Sequence, residues 1–166
     1  MTIGLLLAGG TSSRFIYGDK ALYADFAERT YATLTNLCEE IYISCNSSNI
    51  DELQGRLPKA KFLLDQEPYV NQGPLSAFYA LPFKHCDVLT LSVDNPELTA
   101  ASLGQLLDFE NAYAENYFTL SHLTFEKSSL IEHLENGNRR LKPFLKNLNA
   151  VAIAFSEKEL IDHNEK

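Results

Sequence analysis

Apolar residues along the chain fall into short runs separated by longer amphipathic stretches, and the two alternate over most of its length. Residues 2–8 (TIGLLLA) are continuously apolar and stop at Gly9-Gly10, which predicts a strand buried on both faces. A polar loop then runs to Lys20. Residues 28–38 carry Tyr31, Leu34 and Leu37 at helical spacing and predict a helix. Residues 41–45 (IYISC) predict a second strand, 51–57 a helix, and 61–65 (KFLLD) a third strand that ends on an acid. A Gly-Pro turn leads into a helix over 75–82, and 87–92 (DVLTLS) predict a fourth strand followed by Asp94. Thr99 is placed to cap a helix reaching about Phe109. Residues 116–125 (NYFTLSHLTF) alternate and predict a strand or hairpin. Helices are predicted over 126–136 and 140–148, with Pro143 in the first turn or at a kink of the second, and a last strand over 151–155 (VAIAF).

Strands alternating with helices predict an α/β fold with a mostly parallel sheet. At 166 residues the chain is long enough to bury its own core, and it is read as a single domain over residues 1–166. Its 45% hydrophobic and 22% charged residues exclude wholesale disorder. The net charge of −8 argues against a protein that coats nucleic acid or an anionic membrane. Nothing approaches the ~20 apolar residues of a membrane span, and the apolar start reads as a strand and not as a signal peptide. Cys38, Cys45 and Cys86 form no CxxC pair and lie in or beside apolar runs, so they read as buried thiols of a cytoplasmic protein. The acidity is uneven: residues 87–135 hold nine acids and one lysine, whereas residues 9–20 hold Arg14 and Lys20 against Asp19 alone. A site for one small polyanion is therefore compatible with the overall charge.

In a parallel sheet, ligands bind beyond the carboxyl ends of the strands, and that rule selects three segments. The first is Leu7-Ala8-Gly9-Gly10-Thr11-Ser12-Ser13-Arg14, continuing to Asp19-Lys20. Glycines let backbone approach an anion or a flat base, hydroxyls add donors, and Arg14 and Lys20 add two cations, as a bound triphosphate requires. The segment is neither a Walker A loop nor a GxGxxG fingerprint. The second runs from Asp65 to Gly73-Pro74-Leu75, where a carboxylate can accept two N–H groups and a tight turn brings backbone close. The third is Val93-Asp94-Asn95-Pro96, which delivers one carboxylate to the sheet edge; magnesium takes few protein oxygens and fills its shell with phosphate and water. Each segment also has an ordinary-loop reading, which is the simpler one for the second taken alone, while the place of Asp94 at the ligand edge favours the metal role for the third. His85, His122, His133 and His163 have no metal-ligand spacing and read as structural.

Together the segments resemble the molybdenum cofactor guanylyltransferase family of nucleotidyltransferases. The family opening LAGGxSxRMGG-x-DKAL is similar to LAGGTSSRFIYGDKAL here, with Arg14, Asp19, Lys20, Ala21 and Leu22 in register. An Asp followed by GPLAG is matched by Asp65 and Gly73-Pro74-Leu75-Ser76-Ala77, CDxP by Val93-Asp94-Asn95-Pro96, and G-x-R-x-L by Gly137-Asn138-Arg139-Arg140-Leu141. The resemblance implies a Rossmann-like three-layer αβα sandwich of the nucleotide-diphospho-sugar transferase type. It implies transfer of GMP from GTP to the phosphate of molybdopterin, with or without bound molybdenum, with release of pyrophosphate and with Mg²⁺ as cofactor. It also implies contact with other cofactor-biosynthesis or acceptor proteins. By the same resemblance Leu7, Ala8, Gly9 and Gly10 contact the nucleotide, Arg14 and Lys20 hold its phosphates, Asp65 meets the guanosine part, and Asp94 binds the metal. Either Ser44 or Asn46 supplies a further polar contact. The second substrate approaches from the C-terminal half, where Arg139, Arg140, Lys142 and Lys146 are either phosphate ligands or a solvated helix face.

The chain departs from the family in having Phe15-Ile16-Tyr17 where Met-Gly-Gly stands, and in a tail that reads Asp162-His163-Asn164 where NxNTPE is usual. Two other readings stand beside the guanylyl one. One is a cytidylyl- or sugar-phosphate nucleotidyltransferase; the other is a noncatalytic nucleotide- or pterin-binding homologue.

Overall fold

The structure, a computed structural model, describes residues 1–9 and 18–160. The first strand, β1, is Ile3–Leu7, followed by helix α1, Phe26–Thr35. Then come β2 Ile41–Ser44, α2 Ile50–Arg56, β3 Lys61–Leu63, α3 Pro74–Ala80 and β4 His85–Ser92. Helix α4, Ala100–Gly104, continues as a 3-10 turn over Gln105–Asp108. The chain closes with β5 Ala112–Ala114, β6 Tyr117–Glu126, α5 Lys127–Glu135, α6 Leu141–Asn147 and β7 Val151–Ile153.

Among the described residues the strands form one seven-stranded sheet in the order β3-β2-β1-β4-β6-β5-β7. β1 pairs in parallel with β2 and β4, and β2 with β3. Only β6 runs against its neighbours, β4 and β5. Alternate residues of the inner strands serve opposite layers. Leu6, Ile43, Leu89 and Leu91 meet Leu34, Leu53 and Leu103 of α1, α2 and α4. Leu5, Val88, Leu123 and Phe125 meet Phe78, Leu130 and Phe144 of α3, α5 and α6. Phe125 stands between two of these rings, with centroids 5.6 Å from Phe78 and 5.3 Å from Phe144. Leu5, Leu6, Leu89 and Leu91 have no exposed surface, and each contributes about 1.5–3 kcal/mol by leaving water. The expected three-layer sandwich with a mostly parallel sheet is the observed architecture.

The differences from the predicted elements are local. Helix α1 starts two residues earlier than expected and ends at Thr35. The helix expected to reach Phe109 tightens into the 3-10 turn after Gly104, while Thr99 caps its start by accepting the Ser102 N–H at 3.2 Å. The alternating run at 116–125 is one strand whose partner, β5, precedes it across Glu115-Asn116, and Asn116 takes φ 68° there. Pro143 sits in the first turn of α6, where its missing N–H has no helical partner to lose. His122 lies between Asp87 Oδ1 and the Phe109 carbonyl, 2.7 Å from each, and so ties β4 and β6 to the end of the 3-10 turn. No helix among the described residues is long and apolar enough to cross a membrane.

All three cysteines are buried and outside disulfides. Burial, with a small contribution from nearby carboxylates, pushes the Cys38 and Cys45 thiols up to about 11 from 9.0, and burial also raises Cys86. At pH 8 the thiolate share at Cys38 and Cys45 is then about a hundredfold below that of an ordinary thiol. Titration with an aromatic disulfide reagent is expected to be slow for all three in the native protein and complete on unfolding. Rapid native labelling of Cys38 or Cys45 would contradict their burial.

Candidate active site

The direction of travel across the sheet reverses between β1 and β4: β2 and β3 follow on one side of β1, and β4 lies on the other. Such a switch point opens a crevice at the carboxyl ends of the strands. A cleft of about 580 Å³ lies there. β1 supplies Leu7, Ala8 and Gly9 to its lining, β4 supplies Ser92 and Asp94, and the segment after residue 18 supplies Asp19 and Lys20. Asp65 and Gly73 close the side nearest β3. The structure thus brings together Leu7, Ala8, Gly9, Lys20, Asp65 and Asp94 from the three selected segments, whereas Asn46, Arg139, Arg140, Lys142 and Lys146 are not part of the lining. Gly10 and Arg14 lie outside the described residues, as do Thr11, Ser12, Ser13, Phe15, Ile16, Tyr17, Asp162 and Asn164. A smaller hollow of about 260 Å³ between α5 and α6 contains none of the selected residues.

The centre of the cleft is an ion pair. Lys20 is only 2% exposed, and its Nζ lies 2.5 Å from Asp94 Oδ1. Asp94 is held in turn by the end of β4, where its N–H donates to Ser92 Oγ at 3.1 Å. Burying an ammonium is costly unless it is paired, and Asp94 supplies the pair. The residues expected to hold phosphates and metal therefore face each other directly.

A metal here would rest on Asp94. No group of three or more His, Cys, Asp or Glu side chains among the described residues is arranged to hold an ion. The donor available is a hard carboxylate oxygen, part-exposed, in a cleft large enough for a phosphate chain. That donor fits Mg²⁺ brought in with a triphosphate, since this ion keeps most of its ligands from water and phosphate. It does not make a site closed by protein alone.

Gly9, which lines the cleft, is also constrained by packing. A Cβ at this position would stand 3.2 Å from both the carbonyl carbon and the oxygen of Cys45. The obstacle is backbone at the end of β2, which cannot rotate away. Gly9→Ala is expected to cost roughly 1–3 kcal/mol as overpacking, seen as a fall of several degrees in Tm. An unchanged Tm would show that the β1 and β2 ends can separate freely.

Backbone groups of the neighbouring residue are also engaged. The Ala8 N–H donates to the Ser44 carbonyl at 2.8 Å, and the Ala8 carbonyl accepts from Asn49 Nδ2 at 2.9 Å. Of the two residues left open after β2, Ser44 lines the cleft. Asn46 turns its side chain to backbone instead, accepting the Ser48 and Asn49 N–H groups and donating to the Gly9 carbonyl at 3.4 Å.

On the β3 side, Asp65 lies two residues beyond the end of the strand, and its Oδ2 accepts the Asn71 N–H at 2.8 Å. Gly73 adopts φ 63°, ψ −141°, a region suited to glycine, and leads into Pro74 at the start of α3. On the opposite side Thr119, near the start of β6, also lines the cleft. Reasoning from strand ends missed Thr119, because the reversed strand presents its beginning at this edge. Asn49 and Asn71 were missed as well; each carries its signal in a loop hydrogen bond that has no sequence signature. Of the four cations in the C-terminal half, Arg139 lies 5.3 Å from the centre of the Tyr69 ring, and Lys142 lies 5.9 Å from that of Phe118. Arg140 and Lys146 are exposed.

The family model for the MobA-like NTP transferase domain matches residues 4–151, nearly the whole of the sheet and both helical layers. The chain belongs to the MobA-like NTP transferase family. The molybdenum cofactor guanylyltransferase of Helicobacter pylori is 30% identical over a 175-position alignment that covers 93% of this chain and 83% of that protein. A probable molybdenum cofactor guanylyltransferase of Geobacillus sp. is 31% identical over 116 residues, covering 65% of this chain and 57% of its own length. Among solved structures, molybdopterin-guanine dinucleotide biosynthesis protein A of Archaeoglobus fulgidus superposes with a TM-score of 0.69 at 20% identity, over 96% of this chain and 89% of that one. This last likeness speaks to the fold. As a member of the family the chain is a nucleotidyltransferase.

Proposed function

We propose that the chain transfers GMP from GTP to the phosphate of molybdopterin, with or without molybdenum bound. The observation that carries this reading is the buried Lys20 paired with Asp94 at the β1–β4 crevice. An oxygen of the acceptor phosphate forms a bond to the α-phosphorus of GTP. The bond from that phosphorus to the bridging oxygen breaks, and pyrophosphate leaves. No protein nucleophile is needed; placement and charge neutralisation supply most of the catalysis.

Lys20 holds the phosphates and offsets charge on the departing pyrophosphate, with Arg14 as a second cation from the same loop. Mg²⁺ held at Asp94 supplies Lewis-acid activation of the phosphate oxygens when bound. Leu7, Ala8 and Gly9 shape the wall against the nucleoside, Gly10 is the next residue assigned to nucleotide contact, and Ser44 adds a hydroxyl on that side. Asp65 accepts from the guanine edge: a carboxylate oxygen has two lone-pair directions, so the Asn71 N–H leaves Oδ2 able to accept again. The acceptor lies on the β6 side, where Thr119 lines the cleft and Lys142 stands over Phe118, while Arg139 stands over Tyr69 of the Asp65–Gly73 segment. The chain works in the cytoplasm, in keeping with its three buried thiols.

The decisive experiment incubates the protein with α-labelled GTP, Mg²⁺ and molybdopterin and follows the labelled dinucleotide. Product formation supports the reading. GTP binding by calorimetry without product points to the noncatalytic homologue. Larger thermal stabilisation by CTP or UTP than by GTP would rule out the guanylyl assignment, since stabilisation follows affinity.

A further inference from the structure

We propose that Asn49 is a positioning residue that fastens both stems of the phosphate-side loop to the turn between β2 and α2, and so fixes where Lys20 stands in the cleft. This rests on the nucleotidyltransferase reading given above.

Asn49 has no exposed surface and stands at the position that caps α2. Asparagine is favoured there because its side-chain oxygen can accept an N–H of the first helical turn. Asn49 makes no such bond. Its Oδ1 accepts the Asn46 N–H at 3.0 Å instead. Its Nδ2 donates twice, to the Ala8 carbonyl at 2.9 Å and to Asp19 Oδ2 at 3.0 Å. Ala8 is the incoming stem of the loop and Asp19 the outgoing one. A carboxamide nitrogen carries two hydrogens, and here one goes to each stem.

The outgoing stem is tightened further, because Asp19 Oδ1 accepts the Ala21 N–H at 2.9 Å. The carboxylate is thus gripped on both oxygens, immediately before and after Lys20. Lys20 in turn reaches Asp94 from this short, clamped segment. The neighbouring Asn46 reinforces the same device through the Gly9 carbonyl. A helix-capping asparagine that gives its amide to two points flanking the cleft is not explained by the stability of α2. It is explained by the geometry of Lys20.

Two substitutions separate the roles. Asn49→Ser keeps a good capping residue for α2 but is too short to reach Ala8 and Asp19 together. It is expected to melt within a few degrees of the native chain and to bind Mg-GTP about 10–100-fold more weakly, the effect of a displaced catalytic group. Asn49→Asp presents a carboxylate to the Ala8 carbonyl and to Asp19, and is expected to bind more weakly still. Adding Asp19→Asn restores a donor between the two side chains and should recover part of the loss. Should Asn49→Ser not fold, Asp19→Ala releases the outgoing stem alone and is expected to show the same weakened binding. Calorimetry with Mg-GTP, well below Tm, reads all four. Binding by Asn49→Ser within twofold of the native chain overturns the proposal, and so does a double substitution no better than Asn49→Asp. Failure of the native chain itself to bind Mg-GTP defeats the nucleotide reading, and the positioning role falls with it; native binding with unaffected variants defeats the positioning role alone.

Discussion

Asp94→Asn is expected to lower kcat/KM for guanylyl transfer about 10²–10³-fold, the range found when one preorganised charge-stabilising group is removed, with a Tm close to native. The choice of asparagine follows from the structure. Asp94 Oδ1 is 2.5 Å from the ammonium of Lys20, which is almost entirely buried. The amide oxygen of asparagine still accepts from Lys20, but it is a poor ligand for a hard divalent ion. Alanine would leave Lys20 without even that acceptor. Breaking one side of a fully buried pair costs about 3–5 kcal/mol, and the figure here is smaller because Asp94 is 30% exposed at its side chain and the pair opens on the cleft. Asp94→Ala therefore mixes lost chemistry with lost stability. Native turnover in Asp94→Asn across a Mg²⁺ titration would eliminate Asp94 as the metal ligand.

Much of this arrangement is legible in the sequence because burial on both faces writes itself plainly. The apolar runs at 2–8, 41–45 and 87–92 correspond to β1, β2 and β4, the three strands whose ends form the crevice. The rule that ligands collect at carboxyl ends then selects Gly9, Asp65 and Asp94 without any knowledge of strand order. What was not legible depends on pairing between distant segments. The three-residue β5 has no pattern of its own and exists because β6 and β7 flank it. The reversal of β6 is set by its antiparallel register against β4, such as Thr90 opposite Ser121, and that reversal is what places Thr119 at the cleft. Gly9 carries a second constraint that the sequence does not show: its missing Cβ accommodates the Cys45 backbone, a contact between two loops 36 positions apart in the chain. Asn49 was invisible because an asparagine before a helix already has an ordinary explanation, and only the direction of its amide shows that the explanation does not apply.

Lys20→Met is expected to give two effects of opposite sign, which makes it the sharper test of how the cleft is wired. Methionine keeps the length and apolar stem of the buried side chain while removing the charge, so loss of packing is small. Without the ammonium, a triphosphate loses a charge-assisted contact, and kcat/KM for GTP should fall about 10²–10³-fold. At the same time Asp94 loses the cation that stands 2.5 Å from its Oδ1. A divalent ion held at Asp94 as proposed would share that carboxylate with Lys20 in the native chain and would have it alone in the variant. The Mg²⁺ concentration needed for half-maximal turnover, measured at saturating GTP, should therefore fall even as turnover drops. A weak surface lysine would leave both quantities unchanged. A lysine that acts on the phosphates but not through Asp94 would lower turnover and leave the Mg²⁺ requirement where it was. Only coupling between Lys20 and a metal-binding Asp94 moves the two in opposite directions, because one positive charge competes for the same oxygen that the other uses.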